Sequence, residues 1–274
     1  MTVSPASTLS AQPLIHALHL PEGCRVDQRV PKKLLLENGA PTAADKRLIT
    51  EAVDEIQWVA ALKPNTIGVP DYRDMLREYL EIAVLAVTLR GVVKPASHSR
   101  LAELVHRAVP YPVLLLLIEG QSLTLSLAHK RWAQNENDKV VLDGSLVSAS
   151  LSEINAADSS HPDPAAVTQT ESAFIQSLSV TRQPQSTLHA LYQGWVDCVQ
   201  ALLAARLTGS YESPTTPEQA TARRQALADC ERLESEISRL RAQAAKEKQL
   251  ARQVELNLTL KRLQAELAAA RRQL

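Results

Sequence analysis

Residues 113–127 read VLLLLIEGQSLTLSL, and this stretch decides the fold class. The apolar run from Val113 to Ile118 has the length of a strand buried on both faces. Glu119-Gly120 is a tight turn. Beyond it Leu123, Leu125 and Leu127 alternate with Ser122, Thr124 and Ser126, the pattern of a half-buried strand. Together they predict a β-hairpin. Working towards the N-terminus, Glu81 to Arg90 is nearly all apolar and rich in β-branched residues, as expected of a central strand. Between these strands Ser99 to Ala108 is amphipathic, with Leu101, Leu104 and Val105 facing inward and Pro110-Tyr111-Pro112 as the stop. The sum is an α+β domain with a small mixed or antiparallel sheet and flanking helices.

Further out the pattern weakens. Residues 1–25 form a loose N-terminal segment in which Leu14, Ile15, Leu18 and Leu20 predict a short docking element. Val30 to Leu36 reads as a short helix stopped at Asn38-Gly39. Thr42 is the N-cap of a longer helix, with Asp45 in its first turn. Leu48, Ile49, Ala52, Val53, Ile56, Val59 and Ala60 recur along it at helical spacing, Trp58 lies at the edge of its buried face, and Lys63-Pro64 ends it. Val140–Leu142 and Leu146–Leu151 predict a weak strand pair, or one strand bulged at Asp143-Gly144. The α+β domain therefore spans 26–155.

A stretch of linker composition, 156–171, follows, and then a helical segment, 172–210, with Leu188, Leu191, Trp195, Val199, Leu202 and Leu203 along one side. From Glu218 to Leu274 there is neither Gly nor Pro. This coiled-coil-like helical tail carries one apolar seam through Cys230, Leu233, Ile237, Leu240 and Ala244. A second seam runs through Leu256, Leu260, Leu263, Leu267, Ala270 and Leu274. The two differ in register across Lys246-Glu247-Lys248-Gln249, so the tail is either one long helix or a helical hairpin broken near Lys246.

Composition narrows the function classes. The chain is 45% hydrophobic and 22% charged, with zero formal net charge, so it has no general attraction for polyanions. Aromatics make up 3% with a single Phe, which disfavours a stacking platform for single-stranded nucleic acid. From Thr215 onwards twelve Lys/Arg face eight Asp/Glu, leaving the tail at +4, a mild bias beside the dense basic stripe of a DNA-binding domain. Cys24, Cys198 and Cys230 are far apart and odd in number, which predicts free thiols, no metal site and a cytoplasmic protein. The N-terminus lacks the pattern of a secretory signal, and runs such as Val113–Ile118 are far too short to span a membrane.

No glycine-rich phosphate cradle, nucleophile elbow or HExxH helix occurs, and no cofactor is implied. A metal-dependent nuclease needs an acidic residue and an acid-x-Lys element to hold a cation and activate water. Asp71 and Glu81 could begin one, but Ala83 occupies the lysine position, and Glu119 is followed by Gln121 two residues later. Glu81 or Glu119 acting with Lys130 is the enzyme alternative, with His106 either a general base beside Tyr111 or a helix-end histidine satisfied by backbone. His129-Lys130-Arg131 is a cluster of positive charge that is either a solvated strand end or a site for an anion or a partner's carboxylate, and Lys246, Lys248 and Arg252 in the tail can bind in the same way. The seam residues Ile237, Leu240, Leu256, Leu260, Leu263 and Leu267 need a cover: the tail of a second copy, the α+β domain or a partner helix.

The stretch Lys246 to Asn257, KEKQLARQVELN, resembles the C-terminal signature of the prokaryotic domain of unknown function 4391 family. Further stretches agree in order and spacing: Asp45-Lys46, Leu62 to Ile67, Ala108 to Pro112, Leu127 to Arg131, and Leu188 to Leu203 with Leu191-Tyr192. The resemblance covers about residues 30–274. It implies an accessory subunit of a restriction-like or phage-defence system that works with a helicase-like ATPase or a DNA methyltransferase. It carries over no catalytic residue, and His129 stands where many relatives have an aromatic. The expectation is a non-enzymatic interaction protein; the alternatives are a divergent nuclease and a DNA-binding subunit using the basic tail.

Overall fold

The computed structural model of the chain describes residues 11–120, 122–134, 139–151 and 164–274, with side chains in the 164–177 helix from residue 169. The described residues fall into two compact units divided between Val199 and Gln200.

The first unit opens with α1 (Gln12–Ala17), started by Pro13, which buries Leu14 and Ile15. Strand β1 (Arg25–Arg29) follows, then α2 (Lys32–Asn38) and α3 (Ala43–Ala52). The side chain of Thr42 accepts from the Asp45 amide and so caps α3. Gly39 lies between α2 and α5 (Pro95–Ala108) because there is no room for a side chain: a Cβ there would meet the Leu104 carbonyl at 2.5 Å and the Ala108 methyl at 2.8 Å. Gly39→Ala is expected to cost about 1–3 kcal/mol by overpacking, read as a lower urea midpoint.

One expectation is corrected here. The sequence reading carried the α3 helix on to Ala60, but it stops at Ala52 and the chain continues as β2 (Val53–Leu62). The three-residue spacing of Val53, Ile56 and Val59 looks helical. In fact β2 carries two register irregularities, between Val53 and Glu55 and between Trp58 and Ala60. The first puts Val53 and Ile56 on the same face, a spacing that a regular strand would split.

After the short α4 (Pro64–Ile67) come the small hairpin β3 (Tyr72–Arg73) and β4 (Glu78–Tyr79), then β5 (Ile82–Leu89). Helix α5 crosses over to β6 (Val113–Glu119), which lies parallel to β5. Strand β7 (Ser122–Leu127) returns as the hairpin read from the sequence, with Gly120 in the left-handed conformation (φ 60°) that favours glycine. Val140–Leu142 and Val147–Leu151 pair with different partners, not with each other. The first, β9, pairs with β8 (Lys130–Trp132), and the second, β10, adds to the free side of β7. The main sheet runs β1-β2-β5-β6-β7-β10, all antiparallel except β5–β6. It is the mixed sheet of an α+β protein. The β1 edge is exposed, carries Arg25, Asp27 and Arg29, and has an irregular register between Arg25 and Gln28. Asp27 adopts φ 48° there.

One sheet face meets α2, α3 and α5 through Ala83, Leu85 and Val87 of β5, Val113, Leu115 and Leu117 of β6, and the buried residues of α5. The opposite face carries Ile82, Val84, Leu114 and Leu116, all buried, and Ile15 of α1 lines a small gap with Ala86 and Ile118. The stretch read as linker, 156–171, falls partly outside the described residues. From Pro164 it is helical as part of α6 (Pro164–Ser177), which buries Phe174.

Helix α7 (Leu188–Thr208) runs to the second unit, where α8 (Pro217–Lys246) and α9 (Leu250–Arg271) form a helical hairpin. The break falls where the seam changes register. The Glu247 carboxylate accepts the amides of Lys248 and Gln249 and so closes the turn. The two seams seal each other: Ile237, Leu240, Leu260 and Leu263 are buried in one cluster with Leu256 and Leu267 packed against it. Arg271 on α9 pairs with Glu234 on α8 at 2.7 Å. The seam residues therefore have their cover within this unit. Among the described residues no helix is long and apolar enough to cross a membrane.

Candidate functional site

The sequence-derived catalytic candidates are not brought together. Glu81 precedes β5 and Glu119 ends β6, and the parallel register sets them at opposite ends of the sheet, about 25 Å of strand apart. Glu81 is buried, with one carboxylate oxygen 3.1 Å from Lys63 Nζ and the other without a partner. Glu119 accepts the amide of Val93, at the entry to α5. Asp71 is exposed and lies 3.7 Å from Arg73. Among the described residues no three acidic, His or Cys side chains converge as metal ligands. The three cysteines are free and buried.

Lys130 and His106 do meet, through the backbone. Lys130 is 3% exposed, and its ammonium donates to the carbonyls of His106, at 2.7 Å, and Val109. It thereby satisfies carbonyls at the C-terminal end of α5. Burial pushes its pKa down to about 7. Lys130 lines a small pocket with Glu78, Tyr111, Arg131 and Trp132. Arg131 lies 3.6 Å from Asp143, which Arg77 also grips through two nitrogens. Lys246, Lys248 and Arg252 are exposed at and after the α8–α9 turn.

His129 is not a solvated strand end. Its Nε2 donates to the Gln193 carbonyl oxygen at 2.9 Å, so its Nδ1 accepts from the Tyr79 hydroxyl at 2.5 Å. Gln193 in turn donates to Asp197 at 2.8 Å. His189 stacks on Tyr72 and meets Tyr79 edge-on. The Tyr192 hydroxyl accepts the Ala128 amide and donates to the Val113 carbonyl. Burial lowers the His129 pKa to about 4 and raises that of Tyr79. Tyr79 and Tyr192 are fully buried, and their bonds tie α7 to the end of the sheet.

The sequence reading missed a cleft on the other side of the domain. The face of β7 read as solvent-facing, Ser122, Thr124 and Ser126, lies under α5 instead. The antiparallel register sets Ser126 opposite Ser148 and Thr124 opposite Ser150. These hydroxyls pair across the strands: Ser148 donates to Ser126, and Thr124 and Ser150 share a bond, both at 2.9 Å. Ser126 also bonds His106 Nε2 at 3.1 Å. His106 is fully buried, its Nδ1 has no partner, and burial drives its pKa down to about 3. Its partner is thus a strand hydroxyl, and Tyr111 plays no part. Where α5 draws away from the strands a cleft of about 280 Å³ remains, lined by His98, Glu119, Ser122, Thr124, Ser148 and Ser150. The signal for it was the strict hydroxyl alternation of β7. Only the pairing with β10 doubles it.

In the second unit α9 is apolar on two opposite sides. Successive steps of four residues advance about 40° round a helix. Leu250, Val254 and Leu258 therefore form a stripe roughly opposite the sealed seam. They are 76%, 50% and 65% exposed.

A mixed-sheet α+β domain followed by a helical C-terminal region is thus the class of this protein. The family model described as Domain of unknown function (DUF4391) matches residues 18–267, and the chain belongs to that family. No curated protein and no solved structure matches it.

Proposed function

We propose that this chain is a non-enzymatic accessory protein of the cytoplasm, and that it works by binding another protein through the outer face of α9. The observation that carries the reading is the stripe of Leu250, Val254 and Leu258. Three large aliphatic side chains aligned on one helix face and left in water are the mark of a contact surface. The stripe replaces the seam expected from sequence, which is already covered. The scatter of Glu81, Glu119, Lys130 and His106 over separate structural tasks supports a binding role over a hydrolytic one. The free thiols suit a reducing compartment. The partner class, a helicase-like ATPase or DNA methyltransferase of a restriction-like or phage-defence system, rests on the family resemblance.

The test is a triple substitution, Leu250→Ser, Val254→Ser and Leu258→Ser, in the full chain co-expressed with a helicase-like ATPase or DNA methyltransferase that co-purifies with the wild type. Co-purification is expected to fall at least tenfold while circular dichroism and the melting temperature stay unchanged. Undiminished recovery of the partner overturns the reading.

A further inference from the structure

We infer that the cleft between α5 and the β7–β10 edge is a binding site for a small, hydroxylated ligand carrying a primary ammonium group. The inference is independent of the α9 stripe, which lies in the other unit.

The sheet face beneath α5 changes chemistry from one strand to the next. On β5 and β6 it presents Ala83, Leu85, Val87, Val113, Leu115 and Leu117, and these close against the helix. On β7 and β10 the same face presents only Ser and Thr, where a closed core would be better served by Val or Leu. The outcome is an open cleft and not a collapsed one, about 280 Å³ in volume. That lies just under the lower bound, about 300 Å³, of small-molecule sites, so only a small ligand fits.

The lining is rich in acceptors. A hydroxyl oxygen has two lone pairs, so Ser148, which donates to Ser126, can still accept from a ligand. His98 is held towards its neutral form by burial, and a neutral imidazole offers a lone pair. Glu119 supplies the one formal charge among the described lining residues. One of its oxygens takes the Val93 amide, and no described Lys or Arg lines the cleft. A carboxylate ringed by hydroxyls rejects phosphate and carboxylate groups by like-charge repulsion and rewards an ammonium through charge-assisted hydrogen bonds. A strip of hydroxyls on two adjacent strands matches further hydroxyls on the ligand. The described wall has no Phe, Tyr or Trp ring on which an unsubstituted sugar would stack, so charge is the principal handle.

The test is calorimetric titration of the full chain with glucosamine, ethanolamine and spermidine, each at constant ionic strength, and with glucose as the uncharged counterpart of glucosamine. Binding of glucosamine or ethanolamine is expected, more tightly than spermidine, which has no hydroxyl, and with glucosamine at least tenfold tighter than glucose if it is the one that binds. Glu119→Gln keeps an acceptor for the Val93 amide and removes the charge, so it should weaken amine binding at least tenfold without lowering the melting temperature. Ser148→Ala should weaken it severalfold. Failure of both hydroxylated amines to bind, or equal binding by wild type and Glu119→Gln, overturns the inference. Should Glu119→Gln unfold, Ser150→Ala and Ser122→Ala carry the same test from the two strands, and unchanged affinity in both overturns it.

Discussion

Trp195→Ala is expected to cost about 3–5 kcal/mol of unfolding free energy, the largest single-residue effect anticipated in the first unit. Trp195 is fully buried on α7, and its indole nitrogen donates to the Leu178 carbonyl at 2.8 Å. Truncation removes the largest side chain in the core, leaves a cavity that rigid neighbours fill only in part, and deprives a buried carbonyl of its donor. Trp195→Phe separates these effects. It keeps most of the volume, loses the N–H, and should cost about 1–3 kcal/mol. Urea unfolding followed by circular dichroism reads both. A loss below about 1 kcal/mol for the alanine variant would refute the docking of α7 through this side chain.

The second large effect is acid destabilisation. His106 is neutral in the folded protein, with its pKa depressed from 6.5 to about 3, and His129 is depressed to about 4. Both shifts come chiefly from burial. Below pH 6.5 the unfolded chain takes up protons that the folded chain refuses. Stability is therefore complete above pH 6.5 and is lost as the pH falls towards the folded pKa values. Each such histidine contributes a slope of up to roughly 1.4 kcal/mol per pH unit. His106→Leu should remove one proton from that slope between about pH 6 and 4. An unchanged slope would mean that His106 reaches water in the folded protein.

The hairpin of β6 and β7 and the strand β5 were legible because an unbroken apolar run and a strict alternation each have one structural reading. The end of α3 was not. Bulges in β2 put Val53 and Ile56 on one face at a helix-like spacing, and a bulge depends on the partner strand, which sequence order does not reveal. The same limit hid the cleft. Ser122, Thr124 and Ser126 look like a wetted face until α5 is laid over them and β10 is placed alongside. The composition of 156–171 suggested a linker, yet α6 begins within it and buries Phe174 further along. Lys130 was noticed for its charge, whereas its position makes it a fastener for the end of α5. In the tail both seams were read correctly as apolar, and the break between them as an interruption of register. That the interruption is a turn closed by Glu247 depends on a local backbone geometry that periodicity does not encode.

The outermost strand on the β1 side has a consequence for the molecule in a crowded solution. An unpaired strand is a template on which a second chain can add, and repeated addition leads to fibres. Here that border bristles with Arg25, Asp27 and Arg29, and the left-handed backbone at Asp27 pulls the amides out of line. A foreign strand laid along it would lose its hydrogen bonds midway and bury charge against itself. This edge of the sheet is thus guarded against runaway polymerisation.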